Sequence, residues 1–418
     1  MADGVGSTKL LWPAVDLGGT SIRLLAVADT DAGPAAVIRA DVPTPKGIPA
    51  IVEALGDLLG KAASEAASRG MSMAPVLAIG SPGRIVTSSN GERAIAPRSA
   101  ANLEAFTGEL DGVDLADELA VGLGLEKDRV FWENDAVVQG RQLIGGLLDD
   151  PVKAEIIREQ VVVCINPGTG LGGCLAEVGP DRIEVFTDGH ISELLLHPVE
   201  VKRDLGGIPT AVRSSADGAV IGIELWTDRA VATREIASPE LKQAEDFLSG
   251  RGLTRIAVGV EDCRAELDAE RSCFGPAAGG VEGRRISELI EGGGSDIPSQ
   301  AARFIGDLGG VALARLMTLL HEGRAFKTAS FPDWSAEDRE RLRGVTRFIL
   351  GGGVSSTPLG RYMIAVARAR LAGWPELHLL ECETSADAGA LGAFSLIPEA
   401  MRRALEANGG RPHQPWTK

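Results

Sequence analysis

The strongest constraint on the fold is a pattern that occurs twice: an apolar run, a glycine-rich turn and a second apolar run. The first copy spans Leu10 to Val27 around Gly-Gly-Thr, and the second spans Val161 to Glu177 around Pro-Gly-Thr-Gly-Leu-Gly-Gly. Each copy predicts a β-hairpin whose tight turn depends on glycine. Two similar hairpins far apart in one chain indicate two related α/β domains, each of which opens with its own glycine turn.

The length and the elements between the hairpins agree with this division. A chain of 418 residues is longer than one core usually organises. Gly47–Ser68 has helical spacing, Pro75–Gly80 and Arg129–Trp132 have the pattern of short buried strands, and Ala136–Leu147 that of a helix. Strands that alternate with helices predict an α/β fold with a mixed sheet. We expect the domain boundary near Gly145–Pro151, where Gly, Asp and Pro accumulate.

The predicted first domain covers residues 1–145, joined by a C-terminal helix at 386–407, and the second covers residues 146–385. Ser299–Leu320 predicts an amphipathic helix, and Arg347–Leu350 predicts a strand that runs into three glycines. The stretch Ser238–Gly294 is glycine-rich, charged and weakly periodic. It is compatible with a helical insertion, a lid or an oligomer contact.

Charge and cysteine use exclude several classes of protein. A formal net charge of −16 argues against a nucleic-acid binder, which needs a basic surface. The five cysteines are scattered, which is typical of reduced thiols in a cytosolic protein. The N-terminus lacks a basic segment, and we find no apolar run long enough to span a bilayer. These features predict a cytoplasmic protein that binds neither nucleic acid nor membranes.

The first candidate site is Asp16 with the turn that follows it. Gly18, Gly19 and Thr20 could present consecutive N–H groups to a phosphate. A carboxylate beside phosphates is best explained as a ligand to Mg²⁺ or to Mg²⁺-bound water. A hairpin turn without any ligand accounts for the motif equally well.

The second candidate site is the turn of the second hairpin, Gly168-Thr169-Gly170-Leu171-Gly172-Gly173. A dinucleotide-binding fold would require a helix after the glycines and an acidic residue about 20 residues further on. A strand-like run follows here, so a hairpin that binds phosphate fits the sequence better.

Two further motifs follow predicted strands. In Glu133-Asn134-Asp135, a carboxylate at a strand end could act as the base or orienting acceptor in phosphoryl transfer. Asn134 or Asp135 could instead cap the following helix, and the two residues could divide these roles. In Gly351-Gly352-Gly353, three glycines permit close approach to a planar group such as adenine. An ordinary strand-to-helix turn would normally need only one.

In this order, the motifs resemble the ROK family of bacterial sugar kinases, which belongs to the actin-like ATPase and sugar kinase superfamily. Three further segments extend the resemblance over most of the chain: Gly80-Ser81-Pro82-Gly83, Ala101-Asn102-Leu103 and 386–393. The resemblance implies an α/β fold of two ribonuclease-H-like domains with a cleft between them.

The resemblance also implies roles for single residues. Asp135 corresponds to the general base that accepts the proton of the sugar hydroxyl, and Asp16 to the Mg²⁺ contact. Residues implied in binding the sugar are Asn102, Asn134, Asp135, Glu193, His197 and Glu224. Residues implied in binding the phosphates and adenosine of ATP are Gly18, Gly19, Thr20, Gly168, Thr169, Gly170, Gly352 and Gly353.

The chain departs from the family pattern at three places. Residues 188–219 contain no cysteine, so no structural zinc with thiolate ligands is expected. Glu193 and His197 are separated by one residue more than in the family's Glu-x-x-His, and His190 is the alternative histidine. Ser21 stands where the family often has Lys, and Arg23 is not expected to replace that cation.

The sequence therefore predicts ATP-dependent, Mg²⁺-dependent phosphorylation of a hexose or sugar-like polyol, as in glucokinases. An amino sugar or cyclitol as acceptor, and polyphosphate as donor, stay open. A non-catalytic sugar or nucleotide sensor is the alternative. A repressor would need a helix-turn-helix before the first strand, which only about ten residues precede. A homodimer is a further expectation.

Overall fold

The computed structural model describes most of the chain in two compact units. Contacts group residues 1–146 with 385–418 as unit 1 and residues 147–384 as unit 2. The described residues are 9–30, 33–96, 110–168, 170–180, 182–187, 191, 196, 201–204, 209–214, 220–226, 231–235, 243–267, 283–323, 336–382, 387–407 and 416.

The described residues form strands, often several in succession, and α-helices. The strands are β1 (Leu10–Leu17), β2 (Ser21–Ala28), β3 (Ala35–Pro43), β4 (Ser72–Met73), β5 (Leu77–Ser81), β6 (Ile85–Thr87), β7 (Arg93–Ile95), β8 (Val130–Asn134), β9 (Gln160–Pro167), β10 (Leu171–Val178), β11 (Ile183–Thr187), β12 (Lys202–Asp204), β13 (Pro209–Ser214), β14 (Val220–Trp226), β15 (Val231–Glu235), β16 (Arg347–Leu350) and β17 (His378–Glu381). The helices are α1 (Ile48–Ser68), α2 (Leu115–Leu123), α3 (Asp135–Leu148), α4 (Pro151–Ile157), α5 (Ala244–Leu248), α6 (Gly250–Leu267), α7 (Gly283–Glu291), α8 (Ile297–His321), α9 (Ala336–Leu342), α10 (Gly352–Ser355), α11 (Pro358–Arg370), α12 (Ala388–Phe394) and α13 (Glu399–Ala407).

The main sheets of the two units have the same topology. Unit 1 has the order β3-β2-β1-β5-β8, with β4 beside β1, and unit 2 has the order β11-β10-β9-β16-β17. In each sheet the first three strands are antiparallel and the next two are parallel to the central strand. Each glycine turn joins the central strand to its antiparallel neighbour. The predicted α/β fold of two ribonuclease-H-like domains is therefore confirmed.

The strands of unit 1 are apolar on both faces because both faces of the sheet are covered. On one face, Leu11 and Val15 of β1 pack against the apolar stripe of α1, which includes Leu55. On the other face, Trp12 and Ala14 share a core with α3 and α12. This explains why the hairpin appears in the sequence as two nearly continuous apolar runs rather than as alternating ones.

Helix α8 is the centre of the unit 2 core. Its residues Phe304, Ile305 and Met317 are fully buried together with Val163 and Ile165 of β9. By length and composition α8 could cross a membrane, but 72% of its most apolar stretch is buried inside the protein. That burial is typical of a core helix.

Unit 2 also contains a second sheet, which the sequence analysis did not predict. Strands β12, β13, β14 and β15 follow one another as an antiparallel sheet. Where it is described, the region Ser238–Gly294 is mainly helical and contains α5, α6 and α7. This agrees with a helical insertion, one of the three interpretations of the region.

Glycine allows α12 to cross α3 at close range within unit 1. A Cβ atom at Gly392 would lie 1.9 Å from the backbone oxygen of Val138, and one at Gly80 would lie 2.6 Å from a methyl group of the same valine. These two glycines let β5, α3 and α12 meet around Val138, which is fully buried. The crossing fixes the first turn of α3, where Asp135 lies.

We predict that Gly392→Ala destabilises the protein. The new methyl group must displace a backbone oxygen, and overpacking of this kind costs about 1–3 kcal/mol. Chemical denaturation would measure the change in the free energy of unfolding. Gly145→Ala in α3 is the matched control, because no atom lies within 4 Å of its added Cβ, and it should be neutral or stabilising. Equal effects of the two substitutions would contradict the assigned role of the crossing.

Candidate active site

The carboxyl ends of three parallel strands meet at one edge of the unit 1 sheet. In the register of β1, β5 and β8, Asp16 lies opposite Gly80, and Gly80 lies opposite Glu133. Ligands of α/β proteins bind at this kind of edge. Because Gly80 has no side chain, the first turn of α3 packs closely against β5 at this edge, with a Gly80 Cβ position 3.5 Å from the Cα of Asp135.

Asn134 caps helix α3 and leaves Asp135 at its first residue. The Asn134 Oδ1 accepts hydrogen bonds from the N–H groups of Ala136 (2.9 Å) and Val137 (3.3 Å), and its Nδ2 donates to the backbone oxygen of Gly83 (2.9 Å). Asn134 is 8% exposed, so its amide serves mainly the local fold. Its implied contact with a sugar stays a prediction.

Glu133 and Arg93 brace the end of β8. The Arg93 guanidinium donates to the Trp132 backbone oxygen (2.8 Å) and to the Glu133 carboxylate (3.0 Å). The other Glu133 oxygen accepts from the backbone N–H of Asn134 (2.9 Å). This chain of hydrogen bonds joins the β6–β7 hairpin to the residue before Asp135.

The side chain of Asp135 is partly buried, and its surroundings disfavour the charged form of its carboxyl group. Its pKa is raised to about 7, first by burial and then by repulsion from the Asp16 carboxylate. The N–H of Ala136, which donates to Asp135 Oδ1 at 2.7 Å, offsets part of this effect. A carboxyl group that exchanges its proton near neutral pH is suited to general base catalysis.

Asp16 lies against the start of α12. A Cβ atom at Gly389 would lie 2.5 Å from an Asp16 carboxylate oxygen, so only glycine leaves room for this side chain. Burial raises the pKa of Asp16, and the charge of Arg23 opposes that rise. Arg23 is the register partner of Asp16 across the hairpin. The charge of Arg23 thus acts on Asp16; the expectation that Arg23 does not replace a phosphate-binding Lys stays a prediction.

The two carboxylates suit a divalent cation. Both have raised pKa values, and a bound cation would relieve the repulsion and the loss of hydration that raise them. Within the described residues, no group of three or more His, Cys, Asp or Glu side chains could hold a metal. One or two carboxylates, with water and substrate phosphates as the other ligands, is the coordination typical of Mg²⁺.

The first glycine turn is held by its own backbone. The N–H of Gly18 donates to the Ser21 oxygen (2.9 Å), and the hydroxyl of Thr44 donates to the Gly18 oxygen (2.6 Å). The N–H of Gly18 is therefore not available to a phosphate, contrary to the expectation of consecutive free donors. The N–H groups of Gly19 and Thr20 have no acceptor among the described residues.

The second glycine turn is also closed by a hydrogen bond from the N–H of its first glycine. The N–H of Gly168 donates to the Gly170 oxygen (2.8 Å), and the Gly168 oxygen accepts from the N–H of Gly250 (2.8 Å). A Cβ atom at Gly170 would lie 3.3 Å from a carboxylate oxygen of Glu245. The pKa of Glu245 is raised, mainly by burial. The turn thus lies beside the carboxylate of α5 and the first residue of α6.

The three glycines after β16 have different structural roles. The N–H of Gly351 donates to the Ile165 oxygen (3.0 Å). Gly352 has φ 81°, and a Cβ atom there would lie 2.5 Å from the backbone oxygen of Pro167, whereas Gly353 has no atom within 4 Å of its Cβ position. The turn into α10 requires glycine at 352 but not at 353, so the fold leaves Gly353 free for another role.

A cavity of about 380 Å³ opens beside these glycines in unit 2. It is bordered by Gly250 on one side and by Val354 and Thr357, just after the glycines, on another. The lining residues are Gly250, Leu253, Gly283, Arg284, Ser287, Glu288, Glu291, Val354, Thr357, Pro358 and Leu359. Its apolar walls and few polar groups are typical of a small-molecule site.

Several predicted site residues lie outside the described residues. These are Asn102, Thr169, Glu193 and His197, together with the alternative His190. Glu224 lies in β14, where its backbone pairs with Ala211 and Thr233, but its side chain is not among those described.

Sequence reasoning missed the pairing of Arg23 with Asp16 and the positions of Glu245 and Gly389 beside the site residues. The register of the first hairpin could have placed Arg23 opposite Asp16, because the turn length determines which residues pair. Glu245 and Gly389 reach their sites through contacts between segments far apart in sequence, for which the local pattern holds no signal.

Comparison with known proteins gives matches in structure only. No family model and no curated protein sequence matches the chain. A ROK family glucokinase from Streptomyces griseus, solved with glucose and AMPPNP, is 22% identical, with 92% of this chain and 98% of that chain covered at a TM-score of 0.55. ROK hexokinase from Thermus thermophilus is 20% identical, with 94% and 99% covered at 0.53.

A ROK family transcriptional regulator, a homologue of the E. coli MLC protein, is 14% identical, with 96% of this chain and 81% of that chain covered at a TM-score of 0.58. These similarities establish that the chain has the fold of ROK proteins. The same fold carries kinases and a regulator, so function has to be argued from the site.

We predict that Asp135→Asn changes how stability depends on pH. Since the folded pKa is about 7 and the ordinary value is 3.8, the folded wild type retains a proton that the unfolded chain releases. This favours the folded state at low pH, and the advantage is lost as the pH rises from about 4 to 7. The variant lacks this loss, so its stability relative to wild type should increase over that range and then level off. Denaturant titrations at pH 4.5, 6 and 8 would measure it; a constant difference would contradict the raised pKa.

We also predict that Gly352→Ala and Gly353→Ala differ sharply. Alanine at Gly352 must adopt a strained backbone and displace the Pro167 oxygen, which should cost about 1–3 kcal/mol or more. Alanine at Gly353 meets no atom within 4 Å and should leave the free energy of unfolding nearly unchanged. Denaturant unfolding of the pair checks this, and similar losses at both positions would be inconsistent with the turn described.

Proposed function

We propose that this protein is an ATP-dependent kinase that phosphorylates a hydroxyl group of a hexose or sugar-like polyol. The observation that carries the proposal is Asp135, a carboxyl group with a pKa of about 7 at the carboxyl edge of the unit 1 sheet, beside Asp16. The fold shared with a glucokinase that was solved with glucose and AMPPNP supports the choice of substrates. On the same grounds we assign the chain to the ROK family.

ATP is proposed to bind to unit 2 through its glycine-lined surfaces. The second turn would hold phosphates, and the adenosine would enter the cavity of about 380 Å³ next to Gly353. Gly250 supports both assignments, because it lines the cavity and donates a hydrogen bond to Gly168 in the turn. In unit 1, the N–H groups of Gly19 and Thr20 are the proposed phosphate donors.

Asp135 would orient the acceptor hydroxyl and take its proton as the oxygen attacks the γ-phosphorus. Its raised pKa makes it a better proton acceptor than an ordinary aspartate, and at neutral pH a large fraction is still ionised. Asp16 would hold the metal. When bound, Mg²⁺ supplies positive charge that offsets the negative charge of the phosphates.

The acceptor is proposed to be a neutral sugar, amino sugar or cyclitol. Asn102, Glu193, His197 and Glu224 stay predicted contacts to its hydroxyl groups. The proposal includes a cytoplasmic location, which rests on the sequence features given above, and a homodimer, which the resemblance implies.

Replacing Asp135 with Asn should abolish most of the turnover. Asparagine keeps the size of the side chain and can still accept the hydrogen bond from Ala136, but it cannot take a proton. We expect kcat to fall by about 10²–10⁴-fold, the usual contribution of a general base, with sugar binding retained. Coupled detection of ADP with a panel of sugars and polyols measures the effect, and circular dichroism controls for folding. Near-normal turnover in the variant would rule out this role.

A sensor is the alternative function, and the similarity to a ROK regulator gives it a specific basis. A sensor needs no proton acceptor with a pKa near 7, which favours the kinase. Sugar-dependent ADP release separates the two, because a sensor would bind the sugar without releasing ADP.

A further inference from the structure

Strand β3 forms one edge of the unit 1 sheet, with β2 as its single strand neighbour among the described residues. At nine residues it is the longest of the described strands. The outer side of an edge strand presents unpaired N–H and C=O groups to which another chain can bind, and natural proteins usually block or cover it. A long edge that is left open is therefore a surface for a further strand.

The opposite edge of each main sheet is blocked by an arginine side chain. In unit 1, Arg93 donates a hydrogen bond to the backbone oxygen of Trp132 on β8 (2.8 Å). In unit 2, Arg368 donates to the backbone oxygen of Leu379 on β17 (3.2 Å). These bonds occupy backbone acceptors that a further strand would need. Within the part of the chain that the structure describes, no side chain bonds in this way to the backbone of residues 38–43 in β3.

The backbone of β3 faces β2 and the outside in turn. The N–H of Thr44, directly after β3, donates to the Thr20 oxygen (3.1 Å), so residue 44 faces β2. In an antiparallel pair the residues that bond to one neighbour alternate with those that bond to the other side. Arg39 and Asp41 therefore direct their N–H and C=O groups outwards, and both residues are exposed.

Arg39 and Asp41 are complementary to the same two residues of a second copy. When two β3 strands pair antiparallel about a two-fold axis at Ala40, Arg39 of each copy lies opposite Asp41 of the other. Each of these two pairs exchanges two backbone hydrogen bonds, and opposite charges directly across two strands stabilise the pairing. The Arg39 Nε bonds to Asp387 (2.9 Å), and 60% of the Arg39 side chain is exposed, so its terminal amino groups have room for a second carboxylate.

The two ends of β3 fit the same register. With the axis at Ala40, Val37 of one copy lies opposite Pro43 of the other. Pro43 has no N–H to donate, and the Val37 oxygen that would accept that bond already accepts one from Arg69 (3.1 Å). The hydrogen bond that proline cannot make is therefore one that its opposite residue does not need.

We propose that β3 is the surface through which two copies of this chain associate, so that their unit 1 sheets join into one continuous sheet. The proposal identifies the interface of the homodimer that the proposed function includes, and it is independent of kinase activity. It combines a free backbone edge with two reciprocal pairs of opposite charge. It commits to a second copy as the occupant because the charges and the proline match only in the self-paired register described.

Charge reversal tests this register. Asp41→Arg and, separately, Arg39→Asp place like charges opposite each other in both pairs, so we expect the Kd of the dimer to rise about 10- to 100-fold in sedimentation equilibrium. The double variant Arg39→Asp with Asp41→Arg restores opposite charges with their positions exchanged. It should recover most of the affinity, and a double variant that dimerises no better than the single ones would overturn the proposal.

Asp387→Asn is the matched control. It removes the ion pair that Arg39 makes within its own chain and leaves the charges of the proposed interface unchanged. The Kd of the dimer should stay at the wild-type value. An increase as large as that caused by Arg39→Asp would show that the effect arises within one chain, and would also overturn the proposal.

Hydrogen exchange of the wild type keeps the test decisive when a variant fails to fold. The amides of Arg39 and Asp41 should exchange more slowly at high protein concentration than at low, and equal exchange would contradict the pairing. A wild type that stays monomeric at high concentration would refute both the interface and the homodimer. A wild-type dimer that is insensitive to charge reversal would refute the interface alone. Sugar-dependent ADP release tests the kinase function separately from all of these outcomes.

Discussion

The functional account depends on the position of one carboxyl group, that of Asp135, at the edge of a covered sheet and close to a second carboxylate. Burial and the charge of Asp16 together raise its pKa to about 7. The fold holds this costly arrangement through Asn134, which caps α3, through Gly80, which lets α3 pack closely on β5, and through Gly389, which leaves room for the Asp16 carboxylate. Such groups decrease stability at neutral pH, and active sites are where proteins commonly retain them.

The duplicated architecture gives the proposed nucleotide site and the proposed acceptor site a common structural basis. Each unit has a hairpin with a glycine turn at the centre of its sheet, and each turn is closed by a hydrogen bond from its first glycine. The units then differ in what surrounds the turn. In unit 1 the carboxylates of Asp16 and Asp135 lie near the turn. In unit 2 its neighbours are Gly352 and a largely apolar cavity. The division of proposed roles follows from this difference in surroundings.

Local pattern was sufficient to predict both hairpins, α3 and the strand β16, because apolar runs and glycine turns are local features. It was insufficient for β12 to β15, and the importance of Gly389 arises only from packing against Asp16. The glycines themselves were partly misjudged: the N–H of Gly18 closes its own turn, and the backbone after β16 requires glycine at 352 but not at 353. Those distinctions depend on hydrogen bonds and contacts that the sequence does not display.

The most direct test of the account is the pH dependence of kcat/KM for the acceptor in ATP-dependent phosphorylation, which reports the ionisation of the essential base. With Asp135 as that base, kcat/KM should increase about tenfold per pH unit at acid pH and level off above the pKa of Asp135, which bound Mg²⁺ should hold below its metal-free value of about 7. A profile that is flat down to pH 5.5, or the absence of turnover with every sugar and polyol offered, would contradict the account.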